Sequence, residues 1–315
     1  MQALLVLSRE VMDIQQNRIL VSGASGLIGS ALVRAAQKQS VDVVRLVRDH
    51  RKPLPNSIYW NYRNTLIAAH PLELENFNAV FHLSGANVAH RWTGARRREI
   101  VRSRVESTRV LCERLAVLHN PPRVLLCASA VGIYGDRGDE ELTEQSPPGT
   151  GFLADTCRHW EAATRKAEEA GIRVVHLRFG VVLDRRGGAL AKMLPPFRFG
   201  LGGRLGSGRQ WMSWISLRDV VRAALFLMEH DDLAGCFNLT APNPVTNRTF
   251  TNALGHALHR PAILPVPEFA LRAAFGAMAD EGLLASCRAL PSRLQQAGFI
   301  FEHQDIETTL PALLR

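Results

Sequence analysis

Short apolar runs alternate with longer amphipathic stretches over the first two thirds of the chain. Runs rich in apolar and β-branched residues predict strands at positions 18–22, 41–47, 79–83, 123–128 and 173–178. Apolar residues at helical spacing predict helices near residues 26–39, 96–118 and 152–170. Strands that alternate with helices in this order predict an α/β fold in which a doubly wound parallel sheet is covered on both faces.

The pattern changes after residue 186, where glycine pairs, proline pairs and aromatic residues replace the regular alternation. We therefore predict a nucleotide-binding domain over residues 18–186, with its sheet completed by about residues 215–240. Residues 187–214 and 241–315 are predicted to form substrate-side loops and a small, mostly helical C-terminal lobe. Residues 1–17 are interpreted as an extension, and Met12 as the more natural start, because the apolar run 3–7 is too short to cross a bilayer.

Three glycines join the first predicted strand to the first predicted helix. Gly23 permits a sharp turn, Gly26 permits close approach of the backbone to a pyrophosphate, and Gly29 permits tight packing of helix on sheet. The N–H groups at the start of the helix then face the anion. The order of strand, turn and helix therefore predicts a Rossmann-type dinucleotide site, which includes the intervening residues Ser25, Leu27 and Ile28.

Composition narrows the function classes. Among the 315 residues, 46% are hydrophobic, which is enough for a well-buried core and excludes a disordered chain. The net charge of +9 is scattered and no basic run is interleaved with aromatics, so we expect attraction of a phosphorylated ligand and no nucleic-acid partner. No later segment is long and uncharged enough to span a membrane, and no membrane partner is expected. Five widely spaced cysteines without metal-ligand spacing predict a reduced, cytoplasmic protein without disulfides or a metal.

The end of the second predicted strand bears on the choice of cofactor. An acid at this place holds the ribose hydroxyls in NAD-specific sheets, whereas here Val47 stands there, followed by Arg48 and preceded by Arg45. Positive charge favours the 2′-phosphate of NADP(H). Asp49 has the sequence spacing quoted for the ribose acid and leaves NAD as the alternative.

With these residues placed, the chain resembles the extended short-chain dehydrogenase/reductase superfamily, and more closely its atypical, epimerase-like bacterial members of the YfcH type. The resemblance covers about residues 18–312. Its motifs occur in one order, at residues 23–29, 82–87, 103–104, 128–135, 152–154, 160–161, 178–183, 187–188, 193–197, 200–208, 213–215, 241–246 and 260–261.

The resemblance implies a set of cofactor contacts beyond the glycine turn. It implies that Leu83, Ser84 and the adjoining Gly85 lie beside the cofactor, with the first two along its adenosine half. It also implies that Glu99, Arg104 and Val182 face the dinucleotide. Arg104 has an independent argument, because a guanidinium can clamp a phosphate with two hydrogen bonds.

The residues for proton transfer depart from the superfamily pattern. Active members use a Ser or Thr after the fifth strand, then a Tyr and, four residues later, a Lys. Ser129 matches the first of these, but Leu153 and Cys157 stand where the Tyr and Lys are expected. Tyr134 is the only nearby phenol, and the resemblance places it at the edge of the substrate pocket. Ser216 stands where relatives often carry His.

Cys157 and Glu161 lie four residues apart and share a helix face. A buried thiol and a solvated acid are favoured there over a substitute catalytic pair.

Two functions remain open at this stage. The first is an NADP(H)-dependent oxidoreductase or epimerase that acts on a small molecule of unknown identity, with Ser129 and Tyr134 as candidate catalytic residues. The alternative is a catalytically inactive NADPH-sensing or NADPH-binding protein, because the Tyr and Lys are missing. The helices predicted at 96–118 and 152–170 are expected to be available for a homodimer interface.

Overall fold

The computed structural model describes residues 18–48, 55–64, 66–67 and 71–315. The extension at 1–17, with Met12, and the alternative ribose acid Asp49 lie outside the described residues. The strands, in chain order, are β1 Arg18–Ser22, β2 Asp42–Val47, β3 Ser57–Asn61, β4 Leu66–Ile67, β5 Ala79–His82, β6 Val124–Ala130, β7 Glu141–Leu142, β8 Arg173–Phe179, β9 Val181–Asp184, β10 Trp211–Met212, β11 Trp214–Ser216, β12 Gly235–Leu239, β13 Val245–Thr246 and β14 Arg288–Ala289.

Helices follow most of these strands and cover the sheet. They are α1 Leu27–Lys38, α2 Gly94–Val101, α3 Ser107–Leu115, α4 Phe152–Ala162, α5 Arg165–Glu169, α6 Gly188–Arg198, α7 Leu217–Glu229, α8 Asn247–Leu258, α9 Glu268–Phe275, α10 Ser292–Gln296 and α11 Ile306–Leu314. Single wider π turns occur at Arg102–Glu106 and Ala279–Leu284, and 3₁₀ turns at Tyr62–Asn64, Pro71–Leu74 and Val131–Tyr134.

The large sheet has the strand order β12-β8-β6-β5-β1-β2-β3-β4. Its first seven strands in that order pair in parallel, and β4 joins β3 antiparallel at the edge. The chain reverses its direction of progress between β1 and β5, and open α/β sheets bind ligands at the carboxyl ends of the strands beside such a point. The predicted Rossmann-type fold is therefore confirmed.

Apolar side chains on both faces of the sheet form two separate cores, as a parallel sheet covered by helices requires. One core packs β-strand residues such as Val21 and Phe81 against α1 and α7. The other packs Leu20 and Val80 against α3 and α5. A third cluster, centred on Trp214, Phe250 and Leu310, joins α6, α8 and α11 in the C-terminal part. This cluster also includes Leu183 of β9, so it joins the C-terminal helices to the end of the region predicted as the nucleotide-binding domain.

Two predicted helices are interrupted. The region expected as one helix at 96–118 is α2 and α3 joined by the π turn Arg102–Glu106. The region expected at 152–170 divides into α4 and α5, because the Thr164 hydroxyl donates to the carbonyl of Glu161 and also hydrogen-bonds His176. Hydroxyl contacts of this kind compete with the helical ladder, and apolar spacing does not report them.

A search of the described residues finds no helix with the length and apolar character needed to cross a membrane.

Candidate functional site

The glycine turn lies at the carboxyl end of β1. Gly23 has a φ of +69°, and a Cβ there would lie 2.6 Å from the carbonyl oxygen of Leu83 on the neighbouring strand end. A Cβ on Gly29 would overlap the carbonyl oxygen of Gly23. The Gly26 N–H closes the turn by donating to that same carbonyl over 2.9 Å. The turn is therefore compact enough to bring backbone close to a ligand.

Helix α1 begins at this turn without a side-chain cap. Gly26 is its N-cap residue, and the first turn contains no acidic residue. The orphan N–H groups of the first turn are therefore open to an anion, and the exposed Ser25 adds a hydroxyl beside them. This is the geometry that a pyrophosphate needs.

A cavity of about 320 Å³ opens in front of the turn. Its wall is almost entirely backbone and aliphatic side chain, which suits the flat faces of a dinucleotide. The residues that line it are Gly23, Gly26, Leu27, Ile28, Gly29, Leu83, Val181, Val182, Gly188 and Ala189. The structure thus brings together the predicted turn, the predicted wall residue Leu83 and the predicted Val182.

A cation lies at the end of β2, the strand that pairs with β1 next to the glycine turn. Val47 is the last residue of the strand, and Arg48 follows it with an exposed side chain. Arg45 is turned away, since its guanidinium donates to the carbonyl of Pro55. Among the described residues at this strand end, Arg48 is therefore the exposed cation, and its contact with a cofactor phosphate stays a prediction.

Arg104 comes from the π turn between α2 and α3. Its guanidinium packs against Gly85, lies 5.1 Å above the Trp160 ring and donates to the carbonyls of Ala86 and Ile100. Burial lowers the pKa of this guanidinium, and nearby Arg96 adds to the effect. Within the described part of the chain no carboxylate forms a salt bridge with Arg104. Such a cation is suited to an anionic group of a bound ligand.

Glu99 has a partner of its own. Both carboxylate oxygens accept from the Arg63 guanidinium at 2.8 Å, although this pair is partly exposed. The contact ties α2 to the segment after β3. Ser84 is partly buried and Gly85 is exposed beside the Arg104 guanidinium. The cofactor contacts expected of Glu99, Ser84 and Gly85 stay predictions.

Ser129 belongs to a buried polar network. Its hydroxyl donates to the Glu161 carboxylate over 2.6 Å, and the side chain is 2% exposed. Glu161 in turn accepts two hydrogen bonds from Arg178, at 2.8 and 2.9 Å. Burial alone would raise the pKa of Glu161, but the hydrogen bonds and charge of Arg178 outweigh it and hold that pKa below its ordinary value. The sequence-based interpretation of Glu161 as a solvated acid is therefore wrong.

Tyr134 lies inside the same network and is fully buried. Its hydroxyl donates to Asn238 over 2.8 Å and accepts from Arg178 over 2.9 Å. Burial raises the pKa of Tyr134 to about 12, although Arg178 opposes the shift. Both hydrogen bonds direct the phenol inward, and the expected place at the edge of the substrate pocket stays a prediction. Catalytic roles for Ser129 and Tyr134 stay predictions that require this network to open.

The two positions that replace Tyr and Lys lie on the first turns of α4. Leu153 packs its Cβ beside Gly132, and its N–H donates to the Glu281 carboxylate over 2.8 Å. Cys157 is buried, as expected, and burial together with Glu161 raises the pKa of its thiol to about 12. Neither side chain carries a positive charge or a readily transferred proton at neutral pH.

A donor set that resembles a metal site proves to be part of the buried network. Ligand atoms of Glu161, His176 and Cys236 all lie within 4.8 Å of one another. Arg178 engages both oxygens of Glu161, and His176 is hydrogen-bonded to Thr164 over 3.0 Å. The cluster is already satisfied by hydrogen bonds, so these residues do not suit a cation.

Two contacts from the C-terminal lobe were not predicted. Glu281 caps the start of α4 from the second π turn, and His303 places Nδ1 3.0 Å from the Ser216 hydroxyl. An imidazole therefore lies beside the position where relatives often carry His, but it is supplied from elsewhere in the sequence. Nothing in the local pattern around Glu281 or His303 signals these contacts, because each partner lies more than 80 residues away.

Comparisons with known proteins agree with this geometry. A family model described as the NAD dependent epimerase/dehydratase family matches residues 19–239, and one described as a domain of unknown function, DUF1731, matches residues 266–313. An "Epimerase family protein" of Mycobacterium bovis is 47% identical over 294 residues, which are 93% of this chain and 96% of that protein.

Two solved structures share the fold. The human epimerase family protein SDR39U1, solved with NADPH, has a TM-score of 0.84 and 31% identity over 94% of this chain and 98% of its own. The nucleoside-diphosphate sugar epimerase from Corynebacterium glutamicum has a TM-score of 0.76 and 32% identity, over 99% of this chain and 62% of its own. The chain belongs to the NAD dependent epimerase/dehydratase family, among the atypical, epimerase-like members of the extended short-chain dehydrogenase/reductase superfamily.

Proposed function

We propose that this chain is an NADP(H)-dependent oxidoreductase or epimerase that acts on a small molecule without the usual Tyr and Lys. The observation that carries the proposal is the intact cradle formed by Gly23, Gly29 and Leu83 in front of an uncapped helix. A Cβ at either glycine would collide with backbone atoms of this cradle, so its compact shape, which suits a dinucleotide, depends on both glycines. The NADPH in the human relative supports the same assignment.

Arg48 supports NADP(H) over NAD(H). An exposed guanidinium at the end of β2 adds affinity for a 2′-phosphate, whereas an acid there would repel it. The nearby Arg45 donates to the carbonyl of Pro55, so Arg48 is the arginine left to bind the 2′-phosphate.

Each remaining residue has a role that its contacts allow. A nicotinamide, when bound, supplies or accepts a hydride. Arg104 holds an anionic group near Gly85, and the aliphatic wall with Val182 excludes water from the cavity. The thiol of Cys157 is protonated, so it cannot supply the positive charge of the missing Lys. Arg104 is the neighbouring cation, since its charge lowers the pKa of that thiol, and we assign the electrostatic role to it.

The test compares cofactors by titration calorimetry. We expect the wild-type chain to bind NADPH more tightly than NADH. Arg48→Glu should lower NADPH affinity by at least about tenfold, since charge-assisted phosphate contacts are lost, and should keep or raise NADH affinity, since the new acid can hold ribose hydroxyls. Arg34→Glu, on the exposed face of α1, is the matched control and is expected to leave both affinities unchanged. Equal affinity of the wild type for both cofactors would contradict the assignment.

The alternative is an NADPH sensor without turnover. Leu153 and Cys157 favour it, as does the engagement of the Ser129 hydroxyl with Glu161. Deuteride transfer from labelled NADPH to any member of a panel of carbonyl compounds would establish the enzyme. A protein contact that depends on NADPH, together with no transfer across the panel, would favour the sensor.

A further inference from the structure

The C-terminal part of the chain carries an unusual concentration of exposed apolar side chains. Phe199 is 79% exposed, Leu201 60%, Ile263 77% and Leu264 48%. Phe269 follows at the start of α9 and is 75% exposed. Among the described residues, the other large apolar side chains with this exposure are Val117 and Ile300, far away in sequence. Exposed apolar groups concentrated in this way mark an interaction surface.

The four side chains Phe199, Leu201, Ile263 and Leu264, with Arg198 and Arg260, are here named the basic apolar surface. Two neighbouring segments form it. The N–H of Leu264 donates to the carbonyl of Gly202, and the N–H of Val266 donates to that of Arg204. The Arg260 guanidinium donates to the carbonyl of Arg198 over 3.1 Å, which holds the two exposed arginines together.

The charge along the two segments that form this surface has a single sign. Residues 185–218 and 233–267 contain no Asp or Glu. They include Arg198, Arg260 and the exposed Lys192. The next acid along the chain, Glu268, is paired with Arg272 at 3.1 Å. The exposed apolar groups therefore lie on segments that carry cations and no acids.

We propose that the basic apolar surface docks peripherally on an anionic phospholipid membrane. Phe199, Leu201, Ile263 and Leu264 enter the boundary between headgroups and acyl chains, while Arg198 and Arg260 bind lipid phosphates. This combination of apolar loop residues and same-sign cations matches both layers of such a surface. A protein can bind a membrane surface without a spanning helix, and none was found among the described residues. We therefore propose a membrane partner where the sequence alone predicted none.

A second copy of the chain suits the surface poorly. In a two-fold interface each patch meets itself, and arginines would then face arginines without an acid between them. An acidic protein would complement the arginines, but its acidity would not provide an apolar layer for the four exposed apolar side chains. The lipid surface satisfies both features together.

The experiment is co-sedimentation of the full chain with vesicles. One set contains phosphatidylcholine with phosphatidylglycerol, and the other contains phosphatidylcholine alone. Arg198→Glu with Arg260→Glu tests charge, and Leu201→Ser with Ile263→Ser tests apolar insertion. Val117→Ser with Ile300→Ser is the matched control, since these side chains are equally exposed elsewhere. NADPH affinity and the thermal midpoint check that each variant is folded.

The proposal expects binding to the anionic vesicles, weaker binding to the neutral ones and a loss of at least about tenfold in either test variant, with the control unchanged. Loss of roughly fivefold per neutralised arginine is the scale for a cation at such a surface. No binding to anionic vesicles overturns the proposal, and so does a test variant that binds like the wild type. A wild-type dimer that only Leu201→Ser with Ile263→Ser dissociates, in sedimentation velocity, assigns the surface to a second copy instead.

Discussion

Single residues decide how closely the backbone can approach a ligand in this fold. Gly23 and Gly29 are close to other backbone atoms, not to side chains, so no rotamer change can make space for a larger residue. The sequence pattern around these glycines was therefore sufficient to predict their geometry. Arg104 differs, since its π turn, its contact with Trp160 and its lack of a described acidic partner became visible only in three dimensions.

The first residue-scale prediction concerns Gly29→Ala. We expect loss of NADPH affinity by at least about tenfold, because the new methyl group overlaps the Gly23 carbonyl and forces the turn open. Titration calorimetry measures the effect. Gly94→Ala is the control, since its position is the first residue of α2 and has space for a Cβ. Unchanged NADPH affinity in Gly29→Ala would remove the glycine turn from the binding site.

Pairs of elements are joined by polar contacts that the hydrophobic pattern does not encode. Glu161 on α4 binds Arg178 on β8 and Ser129 on β6. Periodicity correctly placed the strands and helices, because each one buries an apolar face. It could not show that Glu161 is buried, since a carboxylate becomes stable inside a protein only through partners that lie elsewhere in the sequence. The burial of the Tyr134 hydroxyl against Arg178 could not be predicted for the same reason.

The element-scale prediction concerns Glu161→Gln. The substitution leaves the Arg178 cation buried without its carboxylate, and we expect a loss of about 3–5 kcal/mol in the free energy of unfolding. Urea denaturation at neutral pH measures this loss. Glu113→Gln removes the exposed pair with Arg109 and is expected to cost less than about 1 kcal/mol. Equal effects of the two substitutions would show that burial does not strengthen the Glu161 contact.

The pH dependence of this contact follows from its depressed pKa. Arg178 holds the folded-state pKa of Glu161 below the ordinary 4.5. The stabilisation is therefore fully present above about pH 4.5, and it is lost as the pH falls through the lower folded-state value. The difference between the wild type and Glu161→Gln should narrow at acidic pH.

At the scale of the whole molecule, the two cores pack on opposite faces of one sheet, and few charged groups lie within them. His82 is a buried polar group on the face of the sheet that α3 covers, and its ring nitrogens hydrogen-bond Ser22 over 2.7 Å and Ser107 over 3.1 Å. Burial lowers its pKa to about 3, so the ring stays neutral in the folded protein. Unfolding releases the ring to bind a proton near its ordinary pKa of 6.5.

The whole-molecule prediction is a loss of acid stability through His82. Because only the unfolded state binds the proton between pH 6.5 and about 3, stability falls with the pH through that range. We expect His82 to contribute about 2 kcal/mol of the loss between pH 7.5 and 5.0. Urea unfolding of the wild type and His82→Gln at both pH values isolates this contribution. Identical losses in the two proteins would exclude it.

Assembly also belongs to this scale. The outward faces of α3 and α4, expected for a homodimer, carry exposed ion pairs such as Arg109–Glu113 and Arg158–Asp155. Helix faces covered by exposed ion pairs are well solvated and do not need a partner to bury them. The homodimer stays a prediction, and sedimentation velocity tests it together with the basic apolar surface.

The π turn at Arg102–Glu106 contains one residue more than an α-helical turn would hold. Each residue rotates a helix by about 100°, so this single insertion sets the rotational phase between α2 and α3. A deletion of one residue here would leave a continuous helix, and it would rotate α2 relative to α3 by about 100°. That rotation would change how the Arg104 guanidinium lies against the Trp160 ring. The number of residues in this helical stretch, as well as their identity, therefore sets the position of Arg104.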